Sequence, residues 1–113
     1  MHSWLQALRH DLVKRAVWPA RDLRDSGGRD VAPLRRGLTQ LSDAEGAPIS
    51  ALALWERMRA SAPEGAPCDG FEAALRAAVA GLDEPWPVPL RAVLALEDAF
   101  ADLARAVEEK RGR

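Results

Sequence analysis

Apolar residues recur along this chain at intervals of three and four, and nowhere do they alternate with polar ones over five or six positions. Spacing of the first kind lines up side chains on one face of an α-helix, whereas alternation would mark a half-buried strand. β-Branched and aromatic residues are few, and Ala, Leu, Arg and Glu, all good helix formers, dominate. The pattern predicts an all-α fold, a single-domain bundle of four to five helices over residues 1–113, with a frayed tail from about residue 109.

The first predicted helix starts at Ser3, a suitable N-cap, and carries Trp4, Leu5, Leu8, Leu12 and Ala16 on one stripe while Arg9, Lys14 and Arg15 point away. Pro19 is expected to end or kink it, because a proline disfavours α geometry in the residue before it. The run "PARDLRD" then makes a short turn closed by Gly27 and Gly28. A second helix is predicted from near Asp30, with Pro33 in its first turn and Leu34, Leu38 and Leu41 inward. "DAEGAP" breaks it. A third begins at Ser50, burying Leu52, Trp55 and Met58 beside an edge of Arg57 and Arg59. After the loop "SAPEGAP", a fourth opens at Asp69 as N-cap, with Glu72 at the capping-box position and Phe71, Leu75, Ala78, Val79 and Leu82 inside.

The last helix opens at Pro89 and runs to about Glu109. Leu90, Val93, Leu94, Leu96, Phe100, Leu103 and Val107 wrap more than one of its faces, so it lies in the middle of the bundle or hides a second surface in a complex. Its acidic side is Glu97, Asp98 and Asp102. The connector "DEPWPVP" holds Trp86 between Pro85 and Pro87, and its prolines are expected to keep it extended in polyproline geometry with the Trp86 ring covering the end of the bundle. The isomers of the Trp18–Pro19 and Trp86–Pro87 bonds are open at this point.

Charge alters the picture in one respect. Residues 1–40 hold eight basic and four acidic side chains, net +4, and residues 41–113 hold eight basic and thirteen acidic, net −5, beneath an overall charge of −1. Such halves attract one another on folding or serve a partner surface. Arginine-rich, alanine-rich usage with only two lysines fits a GC-rich bacterial genome. A single cysteine excludes an internal disulfide and fits a reducing cytosol. Neither a signal-peptide pattern nor a run of about 18 apolar residues is present.

Chemistry has little material to work with. His2 and His10 stand eight apart, not at the four-residue spacing of a helical metal pair, so no metal site is expected. Cys68 precedes a helix whose dipole favours the thiolate, but no base accompanies it, and an inert thiol is expected. "DSGGRD" has the glycines of a phosphate cradle without the preceding strand or the Gly-Lys-Ser/Thr of a P-loop, and reads as a turn. No cofactor motif or catalytic grouping is recognisable.

The run "LRRGLTQLSDAEGAPISALALWERMRASAP", residues 34–63, resembles the first two helices of bacterial winged-helix regulators of the ferric-uptake-regulator type. It shares a leucine-rich helix, an acidic-Gly turn and a Ser/Ala-opened helix ending in Glu-Arg-Met-Arg. The resemblance implies a recognition helix over residues 69–82. There the pattern departs: "DGFEAALRAAVAGL" offers Arg76 and no Asn, Gln, Ser or Thr for base edges, and another helix follows where a β-wing belongs. It covers about a quarter of the chain, and no family is assigned on it.

Two functional expectations follow. The first is a cytoplasmic protein-interaction module, an adaptor, assembly factor or small subunit without catalytic activity or cofactor, that binds a protein partner or its own twin through Trp86, Val88, Glu97, Asp98 and Asp102. The second is a helix-turn-helix nucleic-acid binder over residues 34–82 that uses Arg35, Arg36, Arg57, Arg59 and Arg76 on phosphates.

Overall fold

A computed structural model describes residues 3–43, 45–62 and 64–111. Helical backbone runs without a break from residue 3 to residue 26, in three parts: α1 (Ser3–Leu8), a π-helical segment (Arg9–Val17) and α2 (Trp18–Ser26). Of the two outcomes expected at Pro19, it therefore does not end the helix. In an α-ladder its ring would strike the carbonyl four residues back, that of Arg15, and its missing N–H would leave that carbonyl unpaired. The wider π-ladder pairs each N–H with the carbonyl five residues back, as Trp18 does with Val13. Widening also broadens the buried stripe: Leu12 with Val13 and Ala16 with Val17 are buried as neighbours, beyond the single file of Leu5, Leu8, Leu12 and Ala16. Gly27, at φ 74°, closes α2 in the left-handed conformation that glycine adopts without cost, so "DSGGRD" is the turn it resembled.

Asp30 accepts a hydrogen bond from the Ala32 N–H at 3.0 Å and opens α3 (Ala32–Thr39). Leu34 and Leu38 face inward. Leu41 is buried too, but it lies in a strand rather than in the helix. β1 (Leu41–Ser42) pairs antiparallel with β2 (Pro48–Ile49), Leu41 opposite Ile49 and Ser42 opposite Pro48. Strands of two residues are too short to leave an alternating pattern, which is why none was foreseen. Ser50 caps α4 (Ala51–Arg59) as expected, accepting from the Ala53 N–H at 3.2 Å. α5 (Cys68–Gly81) begins one residue before the predicted N-cap, and Asp69 and Glu72 turn to Arg59 instead of forming a capping box.

α6 (Val88–Arg111) extends into the stretch expected to fray from about residue 109, the rest of which lies outside the described residues. It packs against α5 on one hand and the π-helical segment and α2 on the other, which accounts for its wide apolar surface. Val93, Leu96, Leu103 and Val107 are buried, and Leu90, Leu94 and Phe100 are half-buried against them. The connector before it is a tight turn and not an extended polyproline arm. The Val88 N–H donates to the Pro85 carbonyl at 2.9 Å, around a cis Trp86–Pro87 peptide. The result is a mostly all-α bundle with one contiguous apolar core and, among the described residues, no buried polar or charged side chain.

α3 and the π-helical segment approach closely at Gly37. A Cβ placed on Gly37 would collide with the Arg15 carbonyl, reaching its carbon at 2.6 Å and the Ala16 Cα at 3.0 Å. Neither partner is a flexible side-chain end, so the helices would have to separate. Gly37→Ala is expected to destabilise the protein by about 2–3 kcal/mol in urea unfolding, the scale of overpacking a close-packed site. Gly70→Ala, in α5 with nothing within 4 Å of its Cβ position, is expected to stabilise by about 0.5–1 kcal/mol.

Candidate interaction surface

The arginines proposed for phosphate contact are mostly engaged within the protein. Arg35 pairs with Asp83 at 3.0 Å, Arg57 with Asp43 at 3.2 Å, and Arg76 with Glu72 at 3.7 Å and Glu56 at 4.0 Å. Arg59 spans Asp69 at 2.5 Å and Glu72 at 3.0 Å, and those hydrogen bonds, Asp69 first, raise its pKa further. Glu72 also accepts from the indole N–H of buried Trp55 at 3.2 Å, tying α4 to α5. The arginine ends of these pairs are exposed, so each pair is individually weak, but together they orient the arginine edge toward its own carboxylates. Arg36 alone of the five has no carboxylate within 4 Å among the described residues.

The acidic side of α6 divides in the same way. Glu97 is taken by Arg21 of α2, whose Nε donates to it at 2.9 Å, so it fastens α6 to the first rod. Asp98 and Asp102 are exposed, the latter 3.6 Å from Arg105 on the same helix. Val88 is exposed at 41%, whereas Trp86 is half-buried.

Asp43 organises the loop between the two strands. One carboxylate oxygen accepts from the N–H groups of Glu45, at 3.0 Å, and Ala47, at 2.9 Å, while the other meets Arg57. The Ala47 hydrogen bond lowers its pKa most, against a smaller opposing effect of burial. Cys68 is half-buried at the start of α5, and burial, the largest influence, raises its thiol pKa despite nearby Arg59. That direction disfavours the thiolate at neutral pH. His10 is exposed, His2 lies outside the described residues, and no cluster of metal-ligating side chains occurs among the described residues.

A different surface gathers the unpaired cations. Gln6, Arg9, His10, Lys14 and Trp18 line one groove of about 320 Å³ along α1, the π-helical segment and the start of α2. Among the described residues Trp18 is the most exposed large apolar side chain, at 44%, and the Lys14 ammonium stands 5.6 Å from the centre of its ring. Arg9 and Lys14 have no carboxylate partner within 4 Å among the described residues. In the sequence Trp18 stands out first as the residue before a proline. The available signal was its place four residues after Lys14 and eight after His10, off the apolar stripe and among the cations.

Comparison with protein-family models, with curated proteins and with solved structures found no match to this chain. No helix among the described residues is long and apolar enough to cross a membrane.

Two titrations test this arrangement. Because the Asp43 pKa is lower folded than unfolded, its carboxylate stabilises the protein above the unfolded value near 4, and that contribution disappears as pH falls through the folded value. Urea midpoints measured across this acid range should fall less steeply for Asp43→Asn than for the native chain. Alkylation of Cys68 against pH should rise at a midpoint above that of an unstructured cysteine peptide, and a lower midpoint would mark an activated nucleophile.

Proposed function

We propose that the protein is a small helical protein-interaction module with no chemistry of its own, and that its partner presents an acidic surface to the groove around Trp18. The observation that carries this reading is an indole left 44% exposed in a row of unpaired cations. Trp and Arg are the side chains that most often supply binding energy at protein interfaces, and a large ring held out in water becomes favourable once a partner covers it. Arg9, His10 and Lys14 add charge complementarity, which sets orientation and speeds encounter with an acidic partner. The acidic half of the chain argues against a long polyanion lying across the whole molecule.

This reading moves the partner surface away from Trp86 and the α6 edge. Glu97 is engaged with Arg21, and α6 already has neighbours on two sides. Nucleic-acid binding through residues 34–82 has less support, since Arg35, Arg57, Arg59 and Arg76 would first have to leave their carboxylates.

The test follows the Trp18 indole N–H by NMR during titration with two probes: a synthetic amphipathic helix bearing Glu on one face and Leu on the other, and a single-stranded oligonucleotide. The acidic helix should shift the Trp18 signal saturably, and Trp18→Ala should weaken its binding about thirty-fold without altering the unfolding midpoint. A response to the oligonucleotide alone would replace the protein partner with nucleic acid. No response to either probe, or chain self-association abolished by Trp18→Ala, would overturn the acidic-partner reading.

A further inference from the structure

On the neighbouring side of the same rod lies a second groove, of about 300 Å³, lined by Arg15 and Pro19 from the first rod and by Pro33, Arg36, Gly37 and Gln40 from and just after α3. We propose that this cleft binds a phosphate monoester, clamped between the guanidinium groups of Arg15 and Arg36.

The two arginines come from different elements that meet at the close packing of Gly37 on Arg15, and both line one groove. The groove lining contains no carboxylate, and neither guanidinium has an acidic partner within 4 Å among the described residues. Arg21, Arg35, Arg57, Arg59 and Arg76 find carboxylates, whereas Arg9, Arg29 and Arg91, like Arg15 and Arg36, have none within 4 Å among the described residues, and of these only Arg15 and Arg36 share one groove. Two like charges sharing a groove repel one another unless an anion neutralises both. A phosphate monoester carries about −1.5 to −2 at neutral pH, and two of its tetrahedrally arranged oxygens can accept the paired hydrogen bonds of a planar guanidinium fork.

The rest of the lining selects an ester over a bare ion. Gln40 is exposed at the cleft and brings an amide donor, whereas Pro19 and Pro33 have no N–H to give an anion. Their rings are apolar surface suited to the carbon attached to the phosphate. The cleft has room for a phosphoryl group together with a short organic part. That organic part belongs either to a small phosphorylated molecule or to a phosphorylated side chain, and this inference stands independently of the Trp18 groove.

The experiment records ¹H–¹⁵N spectra of the full chain, with the arginine Nε–H signals, during titration with inorganic phosphate, phenyl phosphate and a phosphoserine peptide, against chloride at matched ionic strength. Both monoesters should shift Arg15, Gly37, Arg36 and Gln40 saturably and bind more tightly than inorganic phosphate. Arg36→Gln and Arg15→Gln, at exposed positions, should each weaken phenyl phosphate binding about tenfold or more, while Arg91→Gln on α6 leaves it unchanged. Tighter binding of the peptide than of phenyl phosphate identifies a phosphoprotein source, and the reverse a small molecule. Shifts reproduced by chloride, or monoester binding unaffected by both arginine variants, would overturn the proposal.

Discussion

The packing of Gly37 on the Arg15 carbonyl is the constraint on which the arrangement of this protein turns. Pro19 cannot donate to that carbonyl, and the π-helical ladder before it sets the backbone to a wider pitch without breaking the rod. A residue with a side chain could not approach so closely, so glycine at this position decides how far α3 settles onto the first rod. α3 then delivers the strand pair and α4, while α6 packs against both the π-helical segment and α2 and is joined to α2 by the Arg21–Glu97 pair. Arg15 and Arg36 line the cleft formed where the two elements meet.

Electrostatics sorts the surface into two parts. In the second half of the chain, Arg57, Arg59 and Arg76 are held by Asp43, Asp69, Glu72 and Glu56, and a carboxylate there also receives Arg35. In the first half, Arg9, Lys14, Arg15 and Arg36 line grooves without acidic partners. The net charges of the two halves thus have different uses: the acidic half largely absorbs its own arginines, and the basic half faces outward around Trp18. Exposed ion pairs contribute little stability, so their main effect here is to decide which cations stay free for something else.

Much of the fold was legible because it depends on local periodicity. Leu5, Leu8, Leu12 and Ala16, then Leu34 and Leu38, then Phe71, Leu75 and Ala78 are buried as their spacing requires, and Ser50 caps its helix through the side chain expected to do so. The misreadings have physical causes. Spacings of 3.6 and 4.4 residues coincide over one or two turns, so a π-ladder before Pro19 looks like an α-helix about to stop. Asp69 and Glu72 have the spacing of a capping box, but Arg59 competes for them across the α4–α5 loop. "PWPVP" is as compatible with a tight turn as with an extended arm, and the backbone closes between Pro85 and Val88. The binding surface was harder to read for the same reason: the Arg21–Glu97 pair that takes Glu97 out of the acidic edge joins residues 76 apart, and no local pattern carries that information.

Native-state amide hydrogen exchange addresses the central constraint most directly. If the Gly37–Arg15 contact fixes the bundle, the amides of Ala16, Val17 and Leu38 exchange only with global unfolding, at the rate of Leu96 and Leu103 in the core of α6. Exchange at Ala16, Val17 and Leu38 orders of magnitude faster than in α6 would mean that the π-helical segment and α3 open locally, and the contact would then be an ornament on a bundle held together elsewhere.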